Sequence, residues 1–144
     1  MKWLIALLAG VAIIVFFAES TRTVPSVTFN NGQTIFVELA ITPIDQQRGL
    51  SGHTPLGDQH GMLFVFTDKA VRQFWMKDMT FAIDIIWISD GQVVGIEKAA
   101  PPPSDPGAQL PMYFSPDGVD QVLEVSAGWS DRHAVHVGSR LTYK

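Results

Sequence analysis

The apolar positions of this chain form one long uninterrupted run, followed by many short segments. Trp3 to Ala18 reads WLIALLAGVAIIVFFA, after a short positive start at Lys2 and before Glu19. A signal-peptide core needs about 7 to 15 apolar residues and a membrane span about 17 to 25, so this run lies between the two. We therefore predict that residues 1–20 form an apolar helix that acts as a cleaved signal peptide or as a membrane anchor.

A polar stretch containing Pro25 follows this leader. It predicts a linker over residues 21–26 and a single domain over residues 27–144. The positive end of the leader is expected to stay in the cytoplasm. The domain should then lie in the cell envelope, exported across or anchored in the inner membrane, with residues 27–144 outside the cytoplasm.

The domain opens with a predicted hairpin and a short helix. Val27 to Phe29 and Thr34 to Ile41 flank Asn30-Asn31-Gly32, a sequence that tolerates the positive φ angles of tight turns. The second strand would place Ile35, Val37, Leu39 and Ile41 on one face. Thr42-Pro43 then predicts the start of a helix, which Gly49 and Gly52 would end within about two turns.

The rest of the domain alternates short apolar segments with turns. These segments are rich in β-branched and aromatic residues and too short for helices, which favours strands. The predicted strands are Met62 to Phe66, Phe74 to Met76, Ile83 to Ile88, Val93 to Glu97, Gln121 to Ser126 and Arg140 to Tyr143. The pattern predicts a mostly β fold, a compact sandwich or jelly-roll-like domain with one or two short helices.

Composition narrows the functional classes. The net charge is -4 and no cluster of Lys and Arg occurs, so a nucleic-acid partner is not expected. Cysteine is absent, which excludes disulfides, thiolate zinc sites and a cysteine nucleophile. His133 and His136 have no carboxylate at a fitting spacing, and the common enzyme motifs are missing, so we expect neither a metal nor a cofactor.

Four motifs along the domain form a recognisable series. They are RGLSG at Arg48 to Gly52, HGMLFVF at His60 to Phe66, FWMKDMTFAIDIIWI at Phe74 to Ile88, and VLEVSAGWSDRH at Val122 to His133. In their order and spacing the chain resembles domain of unknown function family 192. The resemblance implies a compact, mostly β domain of jelly-roll or sandwich type, often preceded by a signal or anchor segment, and implies no activity.

This chain departs from the family pattern at three positions. Asp78-Met79 stands where members commonly carry Asn-Thr, and Ala82 where proline is common. The departures weaken any shared role for the side chains at 78 and 79.

Asp84 is the first candidate for chemistry, because it interrupts a strand that is apolar on both faces. A buried carboxylate needs a cation or several backbone donors. Arg48, Arg72 and Lys77 are available, and Arg48 is favoured because its guanidinium matches a carboxylate bidentately and its RGL motif accompanies Asp84 in the resembled family. Such a pair would either pin the helix to the sheet or form a binding or catalytic site.

Two further candidate sites occur elsewhere in the sequence of the domain. Trp75, Met76 and Lys77, with Gly49 beside Arg48, would line a shallow cleft or, for the two apolar side chains, fill the core. Glu124 lies in an apolar strand and is a second possible buried acid.

The domain is therefore expected to bind a small ligand, a glycan or an envelope protein as a non-catalytic accessory. One alternative is an envelope hydrolase using Asp84 or Glu124, as a pair or singly. Another is a purely structural accessory. The Pro101 to Pro111 loop would be a rigid spacer or a lid.

Overall fold

The computed structural model describes residues 24–105, 107 and 109–144. The predicted leader and residues 21–23 of the predicted linker lie outside these residues, and Ser26, the last residue of that linker, already belongs to the first strand. Neither helix in the described part of the chain is long and apolar enough to cross a membrane.

The described chain folds into nine strands and two short helices. In chain order they are β1 (Ser26–Phe29), β2 (Thr34–Ala40), α1 (Pro43–Arg48), β3 (His60–Ala70), β4 (Gln73–Trp75), β5 (Ile83–Ser89), β6 (Gln92–Ala100), β7 (Met112–Phe114), β8 (Val119–Ser126), α2 (Trp129–Arg132) and β9 (Leu141–Tyr143). The mostly β prediction is confirmed. β7 and α2 are additional to the predicted elements.

Seven strands form one curled sheet in the order β6-β5-β8-β3-β2-β1-β9, and β4 pairs with β7 separately. An isolated bridge between Gln92 and Arg140 joins the two ends of the curl. At one end β9 pairs with β1, and Lys144 exchanges two backbone hydrogen bonds of 3.0 Å with Ser26. β2 and β3 run parallel, because α1 and the following loop return the chain to the same end of the sheet.

The first hairpin and the first helix form as predicted. β1 and β2 are antiparallel, and Gly32 takes the positive φ of 88° that the turn requires. The Thr42 hydroxyl accepts a hydrogen bond from the Asp45 backbone N–H at 3.2 Å, and Pro43 occupies the first helical turn. Gly49 follows the helix with φ 48°.

The predicted apolar face of β2 is only partly correct. Ile35 and Val37 are buried in the core, whereas Leu39 and Ile41 are 43% and 60% exposed. The reason is that packing passes to the opposite face of the sheet beyond Val37, where Ala40 is buried instead.

The sheet carries a hydrophobic core on each face. The first core draws side chains from all seven strands of the curl and includes Phe29, Leu123 and Trp129. The second lies on the opposite face and includes Phe64, Met76 and Trp87. β5 contributes to both, as its sequence predicted, and the second core supports the candidate site described below.

Candidate ligand-binding cleft

Asp84 is fully buried, but its carboxylate is held by the main chain and a serine and not by a cation. Oδ1 accepts hydrogen bonds from the backbone N–H groups of Ala99 at 2.9 Å and Gly128 at 3.0 Å. Oδ2 accepts two from Ser130, its N–H at 3.0 Å and its hydroxyl at 2.7 Å. Burial raises the pKa of Asp84, but these hydrogen bonds together outweigh it and leave that pKa below its ordinary value.

The predicted ion pair between Arg48 and Asp84 is therefore wrong. Arg48 contacts Asp45 at 3.7 Å on the surface, and 65% of its side chain is exposed. The four donors to Asp84 come from the end of β6 and from the start of α2. The carboxylate thus links β5, β6 and α2. Three backbone N–H groups and one hydroxyl group donate hydrogen bonds to its oxygens, in place of the cation that was predicted.

Asp84 and Glu124 do not form a carboxylate pair. In the register of β5 with β8, Asp84 lies opposite Val125 of the first core, and Glu124 lies opposite Ile85 of the second. Partners directly opposite each other share a face, whereas neighbours along a strand alternate. The two acids consequently point to opposite faces of the sheet.

A cavity of about 360 Å³ opens beside the second core. It lies between the end of α1, the middle of β3, the segment around β4, and β8. Its lining residues are Gln46, Gln47, Arg48, Gly49, Leu50, Ser51, Phe64, Phe66, Val71, Arg72, Gln73, Phe74, Trp75, Lys77, Met79 and Glu124. The structure thus brings together Arg48, Gly49, Trp75, Lys77 and Glu124 from the predicted set. Met76 packs in the second core without lining the cavity, and Asp84 lies elsewhere.

Glu124 forms part of the cavity wall although its side chain is almost entirely buried. It is 4% exposed, and its Oε2 has no hydrogen-bond partner. Burial raises the pKa of Glu124 to about 8. At neutral pH this carboxyl group is therefore mostly protonated, and a protonated carboxyl group is a hydrogen-bond donor.

Gly49 allows the end of α1 to approach Glu124 closely. A Cβ atom at this position would lie 3.2 Å from Phe64 Cζ and 4.0 Å from Glu124 Oε2. The backbone also adopts φ 48° and ψ -137°, a combination that favours glycine. Glycine therefore serves both the turn and the width of the cavity.

Arg72 is a second polar residue on the cavity wall, and it is partly buried. Its guanidinium carbon lies 3.9 Å from the centre of the Phe66 ring, and Nη2 donates to Asp68 Oδ1 at 2.8 Å. Its Nε is buried and has no partner. In the sequence Arg72 appeared only as a possible partner for Asp84, because nothing local showed that Phe66 and β4 would bury it.

Aromatic rings form the apolar part of the wall. Phe64 and Phe74 meet edge to face with their centroids 4.8 Å apart. Trp75 is 43% exposed, and Lys77 Nζ lies 5.8 Å from the centre of its ring. The cavity is therefore lined by aromatic rings together with the side chains of Glu124 and Arg72.

Histidine and carboxylate side chains do not gather into a metal centre within residues 24–144 as far as the structure describes them. The histidines serve other contacts: His133 Nε2 lies 2.8 Å from Asp58 Oδ2, and His53 lies 3.5 Å from Glu38.

Comparison with known proteins decides the family. The model of domain of unknown function family 192, described as an uncharacterised ACR, matches residues 26–143. The chain belongs to this family. The resemblance inferred from the four motifs is thereby confirmed, and the matched range covers both cores and every residue that lines the cleft.

Two solved structures are similar to this member of domain of unknown function family 192. A candidate transcription regulator from Sinorhizobium meliloti 1021 is 31% identical with a TM-score of 0.72, covering 83% of this chain and 91% of that one. A protein of unknown function from Novosphingobium aromaticivorans DSM 12444 is 28% identical with a TM-score of 0.73, covering 83% of both chains. No functionally curated protein matches the chain.

Proposed function

We propose that the cleft binds a small organic ligand and that the domain is a binding module. One observation carries this proposal: two buried polar atoms without partners, Glu124 Oε2 and Arg72 Nε, belong to side chains that line a single cavity. A buried unsatisfied polar group costs about 1–3 kcal/mol, so native proteins keep few of them. A ligand that satisfies both groups would recover that cost.

The chemistry of the wall defines the ligand in outline. Both polar groups act as donors at neutral pH, because the Glu124 carboxyl group holds its proton and Arg72 Nε carries a hydrogen. The apolar part of the wall includes the rings of Phe64, Phe74 and Trp75. The cavity volume lies in the range of about 300–1,000 Å³ typical of small-molecule sites. A compact ring bearing a hydrogen-bond acceptor fits this site.

Binding is favoured over catalysis by the state of the neighbouring groups. Glu124 is the only carboxylate among the described residues that line the cleft. The Ser51 hydroxyl is engaged as a donor to the Lys77 carbonyl at 2.8 Å. Asp84, the other acid considered for a hydrolase, lies on the opposite face of the sheet.

A second candidate function rests on Glu124 alone. A carboxylic acid with a pKa of about 8 holds a proton at neutral pH and is suited to act as a general acid. The two functions separate in Glu124→Gln, which keeps an amide donor. Retained binding with lost turnover of any bound compound would favour the enzyme, whereas a compound that binds unchanged over days favours the binding module.

The binding proposal can be tested with phenol and toluene, which share a ring and differ in the polar hydroxyl. Calorimetric titration of the protein purified from cells should show that phenol binds more tightly than toluene. In Glu124→Leu the preference for phenol should decrease at least several-fold, because one of the two polar partners is lost. Equal affinity of wild type for both compounds, or binding of neither, would refute the proposal.

The location of the domain is a separate proposal. The apolar run from Trp3 to Ala18 supports an exported or membrane-anchored domain in the cell envelope. The mass of the mature chain tests it: a chain lacking roughly its first 18 to 20 residues indicates a cleaved signal peptide. An intact Met1 in the membrane fraction indicates an anchor. Recovery of an intact chain in the cytoplasmic fraction would contradict both.

A further inference from the structure

The charges around the cleft are distributed unequally between its exposed and its buried parts. Arg48 and Lys77 are exposed lining residues, and Arg72 is partly buried. The single lining acid, Glu124, is buried. The cleft therefore presents cations towards solvent and an uncharged acid towards the core.

The neighbouring carboxylates leave this positive charge incompletely balanced. Asp45 lies 3.7 Å from Arg48, and Asp68 lies 2.8 Å from Arg72. Lys77 makes no ion pair with any carboxylate of the described residues. Its Nζ lies 5.8 Å from the centre of the Trp75 ring. One cation beside an exposed aromatic ring thus remains without an anionic partner.

Resting on the proposed binding function, we propose that the ligand is a ring-bearing carboxylate. Its ring would pack on Trp75 and the phenylalanines, and its carboxylate would face Lys77 and Arg48. A hydrogen-bond acceptor on the ring would meet Glu124 and Arg72. A single negative charge matches the one unpaired lysine, and the planar guanidinium of Arg48 suits a carboxylate.

The adjacent positions of Arg48 and Gly49 in the chain support this orientation of the ligand. Arg48 and Gly49 are consecutive, yet Arg48 points to solvent while Gly49 lies within about 4 Å of Glu124 at its Cβ position. Two consecutive residues thus lie between the cationic entrance and the buried acid. A ligand entering past Arg48 would place its far end at Glu124.

The test compares each acid with a neutral analogue of the same shape. The probes are 4-hydroxybenzoate against 4-hydroxybenzamide, and glucuronate against glucose, which distinguish an aromatic acid from an acidic sugar. Titration calorimetry uses the chain as purified from cells, with a titration into its detergent or buffer alone as the baseline. We expect at least one acid to bind about tenfold or more tightly than its neutral analogue.

The double variant Arg48→Gln/Lys77→Gln should reduce that ratio to near one. The matched control, Arg140→Gln/Lys98→Gln, removes the same charge from exposed residues that do not line the cleft, and it should keep the ratio. All four side chains are exposed, so we expect both double variants to fold. The ratio of acid affinity to neutral-analogue affinity is also measured in wild type, and that measurement does not depend on any variant.

Three results would overturn the inference. Equal affinity within both pairs, of each acid and its neutral analogue, would reject the carboxylate and leave the binding function in place. Equal loss of the ratio in both double variants would show a general effect of net charge and no specific contact. Binding of no probe up to ~10 mM, an affinity weaker than about 3 kcal/mol, would reject the binding function as well.

Discussion

Ser130 donates two hydrogen bonds to one oxygen of Asp84, from its backbone N–H at 3.0 Å and from its hydroxyl at 2.7 Å. Both residues are fully buried, and they are separated by 46 positions in the chain. The contact therefore ties β5 to α2 across the first core. It also explains how a carboxylate is kept charged within a strand that is apolar on both faces.

Replacing this carboxylate should destabilise the fold without affecting the cleft. We expect Asp84→Asn to lower the free energy of unfolding by about 2–4 kcal/mol, because an amide cannot accept all four hydrogen bonds. Ser130→Ala should cost about 1–2 kcal/mol, since the backbone donor remains. Urea denaturation measures both, and unchanged probe binding in the folded variants serves as the control.

The effect of Asp84→Asn should depend on pH in a defined direction. The pKa of Asp84 is lowered from 3.8 in the folded state, so its contribution to stability is present above the unfolded pKa and disappears as pH falls through the folded one. The difference between wild type and variant should be constant from pH 5 to 8. It should shrink in acid below the ordinary value, and a difference that grows there would contradict the assignment.

Glu124 should give the opposite pH dependence. Its pKa is raised from 4.5 to about 8, so the folded protein retains a proton that the unfolded chain releases between these values. The free energy of unfolding of wild type should fall, relative to Glu124→Gln, by up to about 1.4 kcal/mol per pH unit in that interval. Denaturation at pH 4, 6 and 8 measures this. Parallel pH profiles of wild type and Glu124→Gln would contradict the assignment.

Gly49→Ala should reduce both stability and binding. The added methyl group meets Phe64 at 3.2 Å and the backbone must keep a positive φ, so we expect a loss of about 1–3 kcal/mol. Gly32→Ala is the control, because its φ of 88° is also positive but no atom lies within 4 Å of the added Cβ. Phenol affinity should fall only in Gly49→Ala. Equal binding by both variants would show that the width of the cleft does not depend on Gly49.

Substitutions of Trp75 and of Trp87 should have different effects, the first on ligand binding and the second on the stability of the fold. Trp75 is 43% exposed at the cleft, whereas Trp87 is 3% exposed in the second core. Trp75→Phe should leave the free energy of unfolding within about 0.5–1 kcal/mol of wild type and weaken probe binding several-fold. Trp87→Ala should cost about 3–5 kcal/mol. Probe-induced quenching of tryptophan fluorescence should likewise be lost in Trp75→Phe.

Local signals in the sequence were sufficient for most of the secondary structure. The Asn-Gly turn, the Thr42 cap and the doubly apolar β5 each depend on neighbouring residues, and each appears in the structure as predicted. The parallel pairing of β2 with β3 was not predicted, because it depends on where the loop after α1 returns the chain. α2 was missed because four residues after Gly128 are too few for a helical period to be visible.

The candidate site was only partly visible from the sequence for the same reason. Glu124 stood out because its strand neighbours are apolar, and this local contrast correctly indicated burial. Asp84 also stood out, but its donors come from residues 99, 128 and 130, and their approach depends on tertiary structure. Arg72 lacked any local signal, since its burial results from the ring of Phe66 and from the position of β4.

The pairing of Lys144 with Ser26 has a consequence for the order of the strands along the polypeptide. β1 and β9 are hydrogen-bonded neighbours in the sheet. The same sheet could therefore form from a chain whose first strand is a different one. A circular permutant that joins Lys144 to Ser26 through a short linker, and opens between β6 and β7, would preserve every strand pair. Folding of such a permutant with an intact cleft would show that the architecture is independent of where the chain begins.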